Sequence, residues 1–182
     1  MQGLSFVGVR NSNRLRRRSE RGRDARGRTT RHQEDLKGHP FVGPAGRILN
    51  IALEQAHIDR NTVYVTNAVK HFKFEPRGKR RIHKKPNMQE IQACRPWLEA
   101  EIKVMHPKVI VCLGATAARA ILGPSFRVTK SRGQLLPSSI APLVLATVHP
   151  SSLLRAPDET ARRIGMKQFV EDLTEVRKAL AT

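Results

Sequence analysis

The segment KVIVCLGATAARAIL, residues 108–122, constrains the fold more than any other stretch. Its first half is apolar without polar alternation, which is how a strand buried on both faces reads. A glycine ends it, and a helical pattern of small residues opens at once. Strand, glycine and helix in that order form the unit of a parallel α/β sheet. TVYVTNAV (62–69) is short and β-branched and reads as another strand, and PLVLATVHP (142–150) as a second buried one. GRILNIALEQA (46–56), NMQEIQACRPWLEAEIKVM (87–105, with Pro86 just inside its start) and residues 158–180 carry apolar residues at helical spacing. The expected fold class is therefore α/β, a three-layer α/β/α arrangement with a central parallel sheet of about four strands. In such sheets ligands bind beyond the carboxyl ends of the strands. TNAVK, GATA and HPSSLLR fall at those ends.

Charge divides the chain in two. Of a net +19, residues 1–33 contribute +8, from ten Arg against Glu20 and Asp24, and residues 34–182 contribute +11. RNSNRLRRRSERGRDARGRTTR offers little apolar surface to bury, so residues 1–33 are expected to be a disordered arginine-rich leader ahead of one domain, 34–182. A body that is basic in its own right implies a polyanionic partner, with nucleic acid favoured over a membrane surface. No apolar run approaches the roughly 18 residues of a membrane helix, and a soluble, cytoplasmic monomer is expected. Two cysteines, Cys94 and Cys112, do not suggest a disulfide framework.

Individual residues at the strand ends have both plain and chemical explanations. His149 stands where a strand stops, and Ser151 and Ser152 are suited to capping the next turn and to offering N–H groups to an anion. Asn67 ends another strand as a turn former, and its amide also suits the edge of a pyrimidine. Phe41 lies in the Gly/Pro segment GHPFVGPAG, where it serves as core or as a stacking surface for a base. KHFKFEPRGKRRIHKKP (70–86) is dense in Lys and Arg, with Glu75 its one acid, and reads as a solvated basic loop carrying His83.

Taken in order, GHPFVGPAGR, VTNAVKHF, KRRIHK, ACRPWLEAEI, VIVCLGATAA and ATVHPSSLLR resemble the uracil-DNA glycosylase superfamily, over about residues 33–175. The pattern is most similar to family 4, and the KRRIH insertion to its UdgX-type, covalent uracil-DNA-binding branch. The resemblance implies a DNA repair enzyme that flips uracil out of DNA, single-stranded DNA preferred, and cleaves the N-glycosidic bond. It implies that Phe41 stacks on uracil, Asn67 hydrogen-bonds its edge, and His149 donates to the oxygen that becomes anionic. His83 would be the nucleophile that traps the sugar. Lys79, Arg80, Arg81, Lys84, Ser151, Ser152 and Arg155 would hold DNA. A 4Fe–4S cluster is also implied, with His71 and Cys94 matching two of its four ligands; Cys112 reads as core.

The N-terminal part departs from the family. No cysteine precedes Cys94, so two cluster ligands are missing and the cluster is expected to be incomplete. GRTTRHQED (27–35) stands against a motif like GEQPGDQED, with Arg28 where the motif has glutamate. Codons GGC GAA CAA CC-, read one base out of register, give Arg-Thr-Thr, so the leader is read as out-of-frame. Two rivals follow: an ordinary hydrolytic family-4 glycosylase in which KRRIH only grips DNA, and a catalytically dead, basic nucleic-acid-binding protein.

Overall fold

A computed structural model describes residues 5–9, 41–69, 74–77, 80–83 and 86–181, the three short segments 5–9, 74–77 and 80–83 by their backbone alone. In chain order the strands are β1 (Ser5–Val9), β2 (Val63–Thr66), β3 (Phe74–Arg77), β4 (Arg80–His83), β5 (Val109–Leu113), β6 (Leu135–Leu136) and β7 (Leu143–Thr147). The helices are α1 (Pro44–Gln55), α2 (Met88–Met105), α3 (Ala115–Leu122), α4 (Val128–Ser131), α5 (Pro150–Leu153) and α6 (Glu159–Ala181).

Five strands form one sheet in the order β2-β1-β5-β7-β6. The sheet is mixed, which corrects the expectation of a parallel sheet of four strands. Only β5 and β7 pair in parallel; β1 runs antiparallel to β2 and β5, and β6 antiparallel to β7. Because β1 opposes both neighbours, β2, β5 and β7 all point the same way, and the ligand-binding logic of α/β sheets survives the change.

The alternation of strand side chains divides the interior into two layers. On β5, Val109, Val111 and Leu113 join Leu49 and Leu53 of α1 and Phe169, Leu173 and Val176 of α6. Ile110 and Cys112 face the other way, onto Ile91, Cys94 and Leu98 of α2 and Ala117, Ala118 and Ile121 of α3. Helices thus cover both sheet faces, and the uninterrupted apolar run of β5 is the consequence.

Local signals explain the helix ends. Asn87 caps α2 in a capping box, its Oδ1 accepting from the Glu90 N–H at 2.9 Å while Glu90 Oε2 accepts from the Asn87 N–H at 2.8 Å. Pro86 therefore precedes the helix rather than opening it. Pro44 occupies the first turn of α1, where a missing N–H costs nothing.

Two further readings change. Ser5–Val9 belongs to the leader expected to be disordered, yet it supplies β1, an inner strand of the sheet between β2 and β5. Five residues of strand-forming character were outweighed by the arginines that follow them; residues 10–40 lie outside the described residues. The basic loop is in part a hairpin. β3 and β4 pair antiparallel with Arg77 opposite Arg80 and Phe74 opposite His83, so residues 78 and 79 make the connection.

Candidate functional site

The site follows from the shared direction of β2, β5 and β7. Thr66, Cys112 and Ala146 lie in one row across the sheet, linked through Phe6 of β1. The next positions along the chain bring Asn67, Gly114 and His149 out at one sheet edge. Two of the strand-end residues singled out from sequence, Asn67 and His149, therefore leave the sheet at the same end, on strands separated by β1 and β5.

His149 is 5% exposed and caps the short helix α5. Its Nδ1 accepts from the Ser151 N–H at 3.1 Å and lies 2.8 Å from Ser151 Oγ. An accepting Nδ1 places the proton of the neutral ring on Nε2, which is then a donor. The N–H groups of Ser151 and Ser152 are not presented to an anion as expected from sequence. The first serves the His149 ring, and the second donates to the His149 carbonyl at 2.8 Å. The turn is tight enough that a residue's own neighbours take its donors. Ser152 Oγ also donates to that carbonyl, at 2.7 Å, and Arg155 Nη1 reaches Ser151 Oγ at 3.4 Å.

Phe41 stacks on the His149 ring, with centroids 5.6 Å apart and planes inclined by 26°. Its backbone has φ of +64°, a left-handed conformation that a non-glycine residue adopts only under constraint. Gly46 is part of that constraint. A Cβ there would stand 1.7 Å from the Phe41 carbonyl oxygen, so the first turn of α1 and the Phe41 loop interlock only with glycine. Gly114 plays a similar part behind the histidine. Its φ is +88°, and a Cβ would come within 3.0 Å of His149 Cβ.

His83 is the last residue of β4, and Arg80 and Arg81 belong to the same strand. Lys79, Lys84 and His71 lie outside the described residues. The described residues do not by themselves supply a donor set for an iron–sulfur cluster. Cys94 is buried among Ile91, Leu98, Ala117 and Ala118. Cys112 lies wholly inside β5, where burial pushes its thiol pKa up, away from the thiolate that a metal requires. Among the described residues no three His, Cys, Asp or Glu gather in a metal-binding group, and four ligands are the rule for such clusters.

Sequence reading missed the residues behind the histidine: Gly46, Gly114, Thr147, Arg132 and Asp172. Asp172 left a signal, being an acid on the apolar 169–172–173–176 face of α6.

Residues 25–174 match the uracil DNA glycosylase superfamily, and the chain belongs to that superfamily. Its relatives include a type-4 uracil-DNA glycosylase of Thermotoga maritima, 36% identical over 147 residues, which are 80% of this chain and 73% of that protein. A type-4 uracil-DNA glycosylase of Pyrobaculum aerophilum is 34% identical over 68% of this chain and 63% of its own length. One of Sulfurisphaera tokodaii is 32% identical over 82% of this chain and 66% of its own length. The chain thus spans slightly less than two thirds of the latter two relatives. Strand β1 lies ahead of the family match. No helix among the described residues is long and apolar enough to cross a membrane.

Proposed function

We propose that this chain is a monomeric DNA repair enzyme that excises uracil from DNA, with single-stranded DNA preferred. The observation that carries the proposal is the His149 ring. Its Nδ1 is engaged by Ser151, so Nε2 is the donor, at a sheet edge that also carries Asn67. A donor held there is suited to a uracil oxygen that gains charge as the glycosidic bond breaks. Membership of the superfamily and type-4 relatives on most of the chain support the substrate.

In this reading phosphates are held by Arg155 and by Lys79, Arg80, Arg81 and Lys84 of the basic hairpin region. The nucleotide swings out of the stack, Phe41 supports the base, and Asn67 reads its edge. Leu154, 42% exposed beside Arg155, offers an apolar wedge for the vacated space. The bond between C1′ and the base breaks, and its electron pair leaves on uracil, where the His149 Nε2–H stabilises it. The electron-poor C1′ then takes a lone pair. Attack by water, with loss of a proton, would leave an abasic deoxyribose in the strand. In the finer reading, which rests on the KRRIH insertion, a ring nitrogen of His83 bonds to C1′ and the protein stays attached.

A binding protein without turnover is the rival, favoured by Arg28 where the family motif has glutamate and by the absence of a second pair of cysteines. A labelled uracil-containing oligonucleotide on a denaturing gel separates the three. A retarded band that is lost with His83→Ser is expected. Alkali-cleavable strands with no retarded band mean hydrolysis, and an unchanged strand means binding alone.

A further inference from the structure

We propose that Asp172 is a positioning residue for His149, acting through Thr147; the catalytic part of this inference rests on the function proposed above. Asp172 is 8% exposed on the apolar face of α6, where a carboxylate needs partners. Its Oδ2 accepts from Arg132 Nε at 3.1 Å, from Arg132 Nη2 at 2.9 Å and from Thr147 Oγ1. Arg132 also donates to Gln168 Oε1 at 3.0 Å, so the guanidinium alone would satisfy an ion pair between α6 and the segment before β6.

Thr147 is the informative partner. It is fully buried, ends β7, and stands two residues before His149. Its carbonyl accepts from the Gly114 N–H at 2.8 Å, and Gly114 backs the His149 side chain. The strand end is therefore held twice, by its backbone from β5 and by its hydroxyl from α6. Gly133 completes the fit. A Cβ there would lie 2.5 Å from Asp172 Oδ1, and its N–H donates to the Ala146 carbonyl at 3.0 Å. A charged acceptor fixes a hydroxyl more firmly than a neutral one. Loosening it lets the main chain carrying His149 shift, and the ring with it.

The test uses the full chain with Thr147→Val, which removes only the hydroxyl, Thr147→Ser, which keeps it, and Asp172→Asn. Two readouts are followed: ring nitrogen and proton NMR signals of His149, and the single-turnover rate of uracil release from an oligonucleotide with protein in excess. Thr147→Val should shift or broaden the His149 ring signals and lower the maximal single-turnover rate about tenfold or more, with the half-saturating protein concentration little changed, since misplacement by an ångström costs up to ~100-fold. Thr147→Ser should restore both, and Asp172→Asn should resemble Thr147→Val. Unchanged ring signals in a folded Thr147→Val protein overturn the inference, as does a loss of single-turnover rate that Thr147→Ser fails to rescue. A chain that excises nothing would overturn the proposed function instead, and the ring signals would still decide the role of Asp172.

Discussion

At the residue scale, two buried threonines illustrate how much a partner matters. Thr116 Oγ1, 2% exposed in the first turn of α3, finds no hydrogen-bond partner among the described residues, whereas Thr147 Oγ1 donates to a carboxylate. A buried hydroxyl without a partner carries a desolvation cost with nothing to offset it. Thr116→Val should thus leave stability unchanged or raise it by up to about 1 kcal/mol. Thr147→Val, equal in volume change, should lower stability by roughly 1–3 kcal/mol, since the bond lost is to a charged group. Urea midpoints of the two variants compare them directly. Gly46→Ala belongs to the same scale. Its methyl would fall on the Phe41 carbonyl, so either the Phe41 loop or α1 has to move. Overpacking of that kind costs about 1–3 kcal/mol, and uracil-DNA affinity should fall with it as Phe41 leaves His149.

At the element scale, legibility depended on whether a feature was local. The β5–α3 unit was readable because a strand covered on both faces has no polar alternation to hide behind. The hairpin β3–β4 was not. Its strands are rich in charge and include Pro76, so they lack the β-branched signature, and only the short Gly78–Lys79 connection hinted at the pairing. β1 was hidden by the composition around it. The Phe41–His149 stack could not be read at all, since it depends on a left-handed Phe41 and on contact across more than a hundred residues. Asp172 could have been found, because an acid on an apolar helix face implies a buried partner, although not which one. Its pairing with Arg132 fastens α6 to the segment that leads into β6. Asp172→Ala leaves that guanidinium without its counter-ion and should cost about 3–5 kcal/mol, read as a lowered urea midpoint. Cys112, sealed inside β5, should react with a thiol reagent only as fast as the sheet opens. Reaction of both thiols in the native protein at the rate of a free cysteine would contradict that packing.

At the scale of the whole molecule, charge and iron are the telling properties. The +11 of residues 34–182 should make affinity for an oligonucleotide fall steeply with salt, as contacts to phosphate release counterions. A flat response between low and moderate salt would remove the electrostatic part of the proposed binding mode. Protein purified without oxygen should contain far less than one cluster per chain, because no cysteine precedes Cys94 and Cys112 is inside the sheet. Stoichiometric iron and sulfide would show that other residues ligate. The most direct test of the central claim is uracil release from a single-stranded oligonucleotide by the unaltered chain and by His149→Ala. Uracil chemistry at this sheet edge predicts release, or capture of the sugar, by the first, and a rate lower by about 100-fold or more for the second, the usual loss when one oxyanion donor is removed. Equal rates for the two proteins, or an oligonucleotide left intact by the unaltered chain, would contradict it.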